Sequence, residues 1–456
     1  MLHGNVVQMN CQTGVRLSQT GAKIICFFCS IVRRFRVHRG DRVAETIGML
    51  NPAFHRVIGD RDSELHGFVV IDEFLSGRGT GGIRCTEDVS LDVVARLARE
   101  MTLKFAFLRL PSGGAKAGIV VPPGLSAERR RQLFYGFGEA IGDLIREGRY
   151  VGGLDMGTST QDIDAVMAGA GVPRTADSRG SDIDSSYYTA LTVLASADAL
   201  LEARGHELRG ATVLLEGVGK VGGHLLRLLD SVGARIVGIS TIAGAVYDNS
   251  GLNVDKIIQA TARVGDGFVV DHPGQSRAPA RELFFQEADL LIPGGAPDSI
   301  NEDNIGRIKA RCIVPVANIC ANPDLETALH DRGIDFIPGF VSNSGGVFCW
   351  YLSRLSSEAR DEMIREEFKS RVKRLIRMAD NSITPIASSA RRVAQENLTA
   401  MKRVEDGDVL PRLTALAKKL SPKRLGYVIG VRVFGSEWSR QFNVLTRSYF
   451  TSRYFH

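Results

Sequence analysis

The sequence lacks the features that define several whole classes of protein. No run reaches the roughly 18 apolar residues of a membrane span, so no membrane partner is expected. Only 7 of the 456 residues are cysteine, and the single CxxC pair, Cys26 and Cys29, has no second pair or histidine cluster near it. We therefore expect no metal site, and the scattered thiols indicate a reducing compartment. The remaining composition, 44% hydrophobic and 24% charged, is that of an ordinary globular protein.

Acidic residues are missing from the first 40 positions, which carry six lysines and arginines. The C-terminal segment 423–456 holds six bases and one acid. Because the whole chain has a formal net charge of +6, the body at 41–422 carries −5, which argues against a global nucleic-acid-binding surface. We expect a cytoplasmic protein, or a mitochondrial one if residues 1–40 are a transit segment.

Hydrophobic periodicity predicts strands that alternate with helices through most of the chain. The predicted strands are His66–Glu73, Gly118–Val121, Arg235–Ser240, Leu290–Ile292, Ile313–Val316 and Phe336–Ile337. The predicted helices are Leu91–Phe107, Ser126–Ile145, Tyr187–Arg204 and Leu352–Ala379. Such alternation is typical of a doubly wound α/β fold with a parallel sheet.

A glycine motif follows one of the predicted strands. ATVLLEGVGKVG places Gly217, Gly219 and Gly222 after a Val/Leu strand and at the start of a helix, with Lys220 and Val221 inside the motif. The first glycine permits a tight turn, the second lets the backbone approach a pyrophosphate, and the third allows close packing of helix and strand. The motif therefore predicts dinucleotide binding.

The end of the following strand bears on the choice between NAD and NADP. In the usual arrangement an acid at this end binds the ribose hydroxyls of NAD. Here the strand ends in Ser240 and Thr241, and no arginine follows directly. Either NAD or NADP is therefore expected as the cofactor.

Two lysines and one aspartate have surroundings that suggest chemistry. Lys104 continues an apolar helix, and Lys116 follows two glycines in a predicted turn at 112–116. Two ammonium groups near one site lower each other's pKa, so one of them can act as a base near pH 7. Asp155, in a second glycine-rich loop, is a candidate partner for proton transfer.

Several motifs in series resemble the glutamate/leucine/phenylalanine/valine dehydrogenase family. They are GGIR (81–84), MTLKFAFLRLPSGGAKAGI (101–119), GGLDMGTSTQDID (152–164), LEGVGKVGG (215–223), VANICANP (316–323) and NSGGV (343–347). The resemblance covers roughly residues 50–400. It implies a two-domain α/β fold, in which C-terminal helices return to the first domain, and a homo-oligomeric assembly.

The resemblance also implies a division of the chain. We expect a basic extension at 1–45, a substrate-binding and oligomerisation domain at 46–184 and a Rossmann domain at 185–345. C-terminal helices at 346–422 and a basic aromatic tail at 423–456 follow.

The resemblance implies roles for individual residues. Lys104 matches the lysine that binds the substrate α-carboxylate, Lys116 the lysine that activates water, and Asp155 the acid–base aspartate. Thr189 and Asn318 match polar residues near the nicotinamide and its ribose, and Asn343 matches an asparagine at the cofactor cleft. Gly82 and Met101 fall at substrate positions. The implied reaction is the reversible NAD(P)-dependent conversion of an L-amino acid to a 2-oxo acid and ammonia.

Two departures concern the substrate side chain. Glutamate-specific members carry a lysine where this sequence has Thr80, and a serine at the position that we align with Trp350. Both usual contacts to the γ-carboxylate are therefore absent, and we expect an apolar or aromatic amino acid to be preferred. Arg78 could supply a replacement cation.

Other functions stay open at this point. The altered segments at 293–295 and 315–318 are compatible with a nucleotide-binding, catalytically inactive regulatory homologue. A glutamate dehydrogenase with a rearranged pocket is a second alternative, and a two-domain oxidoreductase acting on hydroxy acids is a third.

Overall fold

The structure is a computed structural model that describes residues 51–59, 64–172, 183–271, 276–295, 297–353 and 355–406. The predicted basic extension, the C-terminal tail and the Cys26–Cys29 pair lie outside the described residues. None of the described helices combines the length and hydropathy needed to cross a membrane.

The first domain is a mixed sheet covered by helices. Its strands are β1 (Phe54–Ile58), β2 (His66–Ile71), β3 (Gly79–Thr80), β4 (Ile83–Thr86), β5 (Gly113–Val120) and β6 (Tyr150–Val151). Its helices are α1 (Leu91–Leu108), α2 (Ala127–Ala140), α3 (Gly142–Arg146) and α4 (Thr160–Gly169). The strand order is β1-β2-β5-β3-β6, and β4 pairs with β5. The β1/β2 and β2/β5 pairs are antiparallel, and the other pairs are parallel.

Strand β5 begins earlier than the sequence pattern predicted. The prediction of a glycine-rich turn at 112–116 is wrong for residues 113–116. The strand starts at Gly113, and Lys116 lies within the strand, paired with Val70 of β2. Glycines allow this because the strand passes very close to α1. A Cβ on Gly114 would lie 2.0 Å from the backbone nitrogen of Thr102. Glycine here serves close packing of strand and helix rather than a turn.

The second domain is a doubly wound sheet. Helix α5 (Ser185–Ala203) precedes β7 (Thr212–Glu216), α6 (Lys220–Ser231), β8 (Arg235–Thr241), β9 (Gly244–Tyr247), α7 (Val254–Val264), α8 (Phe268–Asp271) and β10 (Ser276–Ala278). Then come β11 (Leu290–Ile292), β12 (Cys312–Ile313), α9 (Pro323–Asp331) and β13 (Asp335–Phe336). The order is β10-β9-β8-β7-β11-β12-β13, with β8, β7, β11, β12 and β13 parallel. The strand–turn–helix–strand prediction around the glycine motif is confirmed.

The C-terminal helices return to the first domain. After α10 (Gly339–Ser342) and α11 (Gly345–Tyr351) come α12 (Ser357–Met363), a π-helical turn at Ile364–Phe368, α13 (Lys369–Ser382) and α14 (Ile386–Asp406). Asn397 of α14 donates a hydrogen bond to the Ala106 carbonyl of α1 at 3.1 Å. The continuous helix predicted from Leu352 to Ala379 is wrong at its start. The chain turns after Leu352, and the Ser356 hydroxyl accepts a hydrogen bond from the Ala359 amide and caps a new helix.

Candidate active site

A cleft of about 530 Å³ opens between the two domains at the carboxyl ends of β7 and β11. This is the position at which open α/β sheets bind ligands. The first domain contributes Gly82, Arg84, Leu97, Met101, Lys104, Lys116, Leu154, Asp155, Met156 and Thr158. The second contributes Ser185, Ser186, Thr189, Glu216, Gly217, Gly219, Lys220, Val221, Gly222, Gly294, Gly295, Pro297, Val316, Ala317, Asn318, Ile319, Asn343, Gly346 and Val347.

Lys116 and Asp155, which are separated by 39 positions in the sequence, meet in this cleft. The Lys116 Nζ lies 3.1 Å from the Asp155 Oδ2, and the Arg84 Nε donates to the same oxygen at 3.0 Å. Arg84 is carried by β4 and Lys116 by the neighbouring β5. One carboxylate is therefore held by two cations from adjacent strands.

The loop that carries Asp155 is held by the Thr158 side chain and by close packing against Gly82. The Thr158 hydroxyl accepts from the Asp155 amide and donates to the Asp155 carbonyl, both at 2.8 Å. A Cβ on Gly82 would lie 2.5 Å from the Leu154 carbonyl oxygen, so only glycine lets the loop approach this closely. These contacts hold the Asp155 backbone next to the strand that carries Lys116.

Burial and charge set the protonation of this pair. Burial lowers the pKa of Lys116, whose side chain is only 4% exposed, against the opposing attraction of Asp155. Burial alone would raise the pKa of Asp155, but the Lys116 and Arg84 cations outweigh burial and hold the pKa below its ordinary value. Asp155 is therefore an ionised acceptor at neutral pH, next to an amine that loses its proton more easily than an exposed lysine.

Lys104 reaches the cleft from the middle of α1. Its Nζ donates to the Asn318 Oδ1 at 3.2 Å, and the Asn343 Nδ2 donates to the same oxygen at 3.1 Å. Burial, followed by repulsion from Lys116, lowers the pKa of Lys104 to about 7. Two amines and one carboxylate therefore face one cavity, as the sequence pattern predicted.

The glycine motif has the geometry of a dinucleotide cradle. Gly217 has a φ of +87°, and a Cβ on Gly222 would lie 2.1 Å from the Gly217 carbonyl oxygen. Gly219 begins α6 without a side-chain cap, and a Cβ added there would have no atom within 4 Å. The first amides of α6 therefore face the cleft without a side-chain acceptor at the cap, which suits a pyrophosphate. These residues fit NAD or NADP.

The structure also places the remaining predicted cofactor residues. Thr189 lines the cleft, and its hydroxyl donates to the Ser185 carbonyl at 2.8 Å. Ser240 and Thr241 end β8 beside the motif, where the Gly217 amide donates to the Ser240 carbonyl at 2.8 Å, but they do not line the cavity. The Thr241 hydroxyl donates instead to the Asp266 carbonyl.

The two residues expected to shape the side-chain pocket lie elsewhere. Thr80 makes a 2.7 Å hydrogen bond with the Ser112 hydroxyl and does not line the cleft. Trp350 is 45% exposed on α11, whose cleft-facing residues are Gly346 and Val347. The expectation that Trp350 stands at the substrate-contacting position of the family's serine is therefore wrong, because the face of α11 that carries the indole turns away from the cleft.

Sequence reasoning missed two charged residues of the cleft, Arg84 and Glu216. Arg84 was part of the quoted GGIR motif, and its place two residues after Gly82 was the available signal. Glu216 directly precedes Gly217, and its Oε2 accepts hydrogen bonds from the amides of Gly294 and Gly295 at 3.1 and 2.9 Å. Burial raises the pKa of Glu216, and these two amides oppose that effect only in part.

Comparison with family models gives two matches. Residues 180–408 match Glutamate/Leucine/Phenylalanine/Valine dehydrogenase, and residues 55–170 match Glu/Leu/Phe/Val dehydrogenase, dimerisation domain.

Individual relatives agree with these matches. An NAD-specific glutamate dehydrogenase of Staphylococcus aureus (strain COL) is 28% identical over 324 residues, which are 67% of this chain and 78% of that protein. An NADP(+)-dependent glutamate dehydrogenase of Pyrobaculum calidifontis is 30% identical over 286 residues, 60% of this chain and 68% of that protein.

Solved structures share the architecture. A hetero-hexameric glutamate dehydrogenase from Thermus thermophilus, in a leucine-bound form, superposes with a TM-score of 0.67 at 26% identity, covering 85% of this chain and 97% of that one. An L-tryptophan dehydrogenase from Nostoc punctiforme gives a TM-score of 0.55 at 20% identity, covering 79% of this chain and 99% of that one, and shows the fold alone.

Proposed function

The chain belongs to the glutamate/leucine/phenylalanine/valine dehydrogenase family, and we propose that it deaminates an apolar L-amino acid reversibly to a 2-oxo acid and ammonia. The observation that carries the proposal is the convergence of Lys104, Lys116 and Asp155 beside the glycine motif. Enzymes of this family act on CH–NH₂ donors with NAD or NADP.

Substrate binding is assigned to Lys104. In the free enzyme its pKa of about 7 leaves the amine partly neutral, whereas a bound α-carboxylate restores the charge by pairing with it. The Asn318 oxygen at 3.2 Å fixes the direction of the amine. The ammonium would then hold the substrate with its Cα toward the cofactor side of the cleft.

Proton transfer is assigned to Asp155 and Lys116. Asp155, ionised at neutral pH, accepts a proton from the substrate α-ammonium so that the neutral amine can form an iminium. NAD or NADP, when bound, supplies the acceptor for the hydride that leaves Cα. Lys116, as the neutral amine, then takes a proton from the water that attacks the iminium carbon. Asp155 returns its proton to the nitrogen of the carbinolamine. As the C–N bond breaks and ammonia leaves, the again ionised Asp155 accepts the proton of the carbinolamine hydroxyl, and the 2-oxo acid forms.

The apolar preference is supported by the walls of the cleft. The apolar side chains that line the cleft include Met101, Leu154 and Met156 of the first domain and Val347 of α11. Among the described lining residues, the cations are Arg84, Lys104, Lys116 and Lys220. Arg84 is already paired, Lys104 and Lys116 have roles at the reacting carbon, and Lys220 belongs to the cofactor motif. A glutamate γ-carboxylate would therefore be buried without a partner, at a cost of about 2–5 kcal/mol.

An amino-acid panel tests the proposal. Formation of reduced cofactor at 340 nm is measured with L-leucine, L-valine, L-phenylalanine and L-glutamate, each with NAD and with NADP. We expect kcat/KM for the best apolar substrate to exceed that for glutamate at least tenfold. Lys116→Ala should lower kcat by about 10²- to 10⁴-fold. Cofactor binding without turnover on any amino acid would identify an inactive homologue instead.

Glutamate is the second candidate substrate, and the names of the two relatives favour it. A matched variant separates the candidates. Met101 lies on α1 three residues before Lys104 and lines the cleft, so Met101→Lys adds the missing cation. If the wild type prefers apolar substrates, this variant should gain on glutamate relative to leucine. A wild type that already prefers glutamate would contradict the apolar proposal.

We further propose the domain division given by the sequence, 46–184, 185–345 and 346–422, and a homo-oligomeric assembly. The match of residues 55–170 to a dimerisation domain supports the second point. Sedimentation equilibrium tests it, and a monomer at micromolar concentration would contradict it.

A further inference from the structure

Glu216 is a partly buried acid for which the amino-acid chemistry gives no use. It ends β7, directly before Gly217, and lines the same cleft as Lys104 and Asn318. Among the described residues no basic side chain forms an ion pair with it, and its only hydrogen bonds come from the Gly294 and Gly295 amides. Even partial burial of a carboxylate is costly unless its remaining lone pairs have partners.

The geometry leaves one oxygen of Glu216 available. The hydrogen bonds from both loop amides end on Oε2, and Oε1 makes no hydrogen bond to any described residue. The loop after β11 is shaped around this carboxyl group, because a Cβ on Gly295 would lie 2.8 Å from the Glu216 Oε1 and one on Gly294 would lie 2.3 Å from its backbone oxygen. Two glycines therefore keep space around an acid that faces the cavity.

The position of Glu216 determines which part of a dinucleotide it can meet. It lies on the β7–β11 side of the glycine motif, together with Lys104 and Asn318, whereas Ser240 and Thr241 lie on the β8 side. Because the nicotinamide must approach the reacting lysines, the β7–β11 side receives the nicotinamide half of the cofactor. The ribose of that half carries two neighbouring hydroxyl groups. A carboxylate oxygen with free lone pairs can accept a hydrogen bond from either of them.

We propose that Glu216 is a cofactor-binding residue whose Oε1 accepts a hydrogen bond from a hydroxyl of the nicotinamide ribose. Its Oε2 holds the Gly294–Gly295 loop at the same time, so the residue both shapes the crevice and binds within it. The proposal rests on the cofactor class and is independent of which amino acid is the substrate.

Binding of cofactor fragments to the full-length protein tests the proposal without turnover. ADP-ribose contains the ribose in question, and ADP does not. The variant Glu216→Gln retains an oxygen for the loop amides but loses the charged acceptor. By calorimetry we expect ADP-ribose to bind roughly tenfold more weakly to this variant, with ADP affinity changed by less than about twofold. Glu207→Gln, an exposed acid of the same domain, is the matched control and should change neither affinity.

Each other outcome has a distinct meaning. Equal losses for ADP and ADP-ribose would show that Glu216 only holds the loop, and no loss for either would show that it makes no contact; both results overturn the proposal. If the wild type binds neither fragment nor NAD and NADP, the cofactor assignment itself fails. The Glu216→Gln substitution must also weaken the binding of 3-acetylpyridine adenine dinucleotide, which lacks the carboxamide NH₂, by as much as it weakens the binding of NAD. A loss confined to NAD would place the contact at the carboxamide and overturn the ribose assignment.

Discussion

Arg84 reaches Asp155 from β4 while Lys116 reaches the same oxygen from β5, and this arrangement sets two pKa values at once. The guanidinium lowers the pKa of Asp155 and also disfavours the charged form of Lys116. It touches neither substrate nor cofactor in the proposed reaction, so we regard it as a positioning residue.

Removal of Arg84 should move the acidic limb of the pH profile. In Arg84→Gln the pKa of Asp155 rises, so activity is lost at a higher pH as the medium is acidified. The pKa of Lys116 rises as well, so the neutral amine forms only at a higher pH. Both groups must be deprotonated for the reaction, so both pKa values act on the acidic limb. We expect this limb of the kcat/KM profile to shift upward by about one pH unit, while the alkaline limb stays in place. An unchanged profile with lower activity would indicate a purely structural role.

Arg56→Gln is the matched control for this variant. Arg56 binds Asp143 through two hydrogen bonds of 2.7 Å, outside the residues that line the cleft. Its loss should leave both limbs in place.

Burial of the Lys104 amine, which the proposed substrate binding requires, should lower the free energy of unfolding of the protein. Its pKa falls from 10.5 to about 7, so the unfolded chain binds this proton more tightly than the folded one between these values. The free energy of unfolding of the wild type therefore rises with pH across this window. Lys104→Met should raise the free energy of unfolding by about 1–4 kcal/mol at pH 7, and this gain should vanish near pH 10.5.

Denaturant unfolding at pH 7 and at pH 10 checks this prediction. Lys256→Met, which replaces an exposed lysine, should show no pH-dependent gain. Substrate binding by Lys104→Met should be weakened strongly. A stability loss at pH 7 would contradict the account of Lys104 as a buried, electrostatically unfavourable group.

At this scale the sequence predicted Lys104, Lys116 and Asp155 because glycines and apolar neighbours make their surroundings unusual. It failed for Trp350, since the direction of a side chain on a short helix depends on how that helix docks. It also passed over Glu216, because an acid at a strand end looks the same in sequence whether it faces solvent or a crevice.

Among the elements, the close contact of α1 with β5 fixes the spacing of the two amines. Lys104 is on the helix and Lys116 on the strand, and Gly114 lies where the two meet. The Thr102 hydroxyl accepts a hydrogen bond from the Gly114 amide at 3.2 Å. There is no room for a side chain at this position, since an added Cβ would meet backbone at 2.0 Å.

Gly114→Ala should therefore push α1 away from β5. We expect a loss of about 1–3 kcal/mol in the free energy of unfolding and a fall in kcat, because the distance between the two amines changes. Gly136→Ala is the matched control, since a Cβ there meets only Leu65 Cδ2 at 3.6 Å within α2. The control should be neutral or stabilising by up to about 1 kcal/mol. Equal effects of the two substitutions would contradict the packing argument.

Hydrophobic periodicity predicted most of the helices and strands and their order. The predicted boundaries were least accurate where glycine residues occur. The pattern gave α1, α5, β8 and β11 closely because each has a regular apolar face or a short buried run. It misplaced the start of β5 because glycine is read as a turn signal, whereas here it marks close approach. It also missed the capped restart at Ser356, which a local hydroxyl decides rather than a hydrophobic period.

For the whole molecule, ionic contacts bridge the two domains around the cleft. Arg96 of α1 binds Asp298, in the loop after β11, through two hydrogen bonds of 2.8 and 2.6 Å. Arg391 of α14 binds Glu326 of α9, with its Nη2 donating at 2.8 Å. Both contacts join first-domain surfaces to the nucleotide-binding domain, so they stabilise the arrangement of the two domains around the cleft.

Loss of the Arg96–Asp298 ion pair should weaken the contact between the two domains modestly. The Arg96 and Asp298 side chains are 27% and 45% exposed, so the pair is worth only about 0.2–1 kcal/mol. We expect Arg96→Gln to lower kcat/KM by about two- to fivefold, with a smaller difference from wild type at high salt. The double variant Arg96→Gln/Asp298→Asn should be no worse than either single variant. Additive losses would show that the two residues act separately.

The two sides of the cleft come from different parts of the chain, and this separation affects how substrate and cofactor specificity can evolve. Both amines and the carboxylate come from one half of the chain, and the glycine cradle comes from the other. Substitutions at the end of β8 can therefore change the preference for NAD or NADP without disturbing the groups that we propose act on the substrate nitrogen. The converse also holds, so the two specificities can evolve as separate traits.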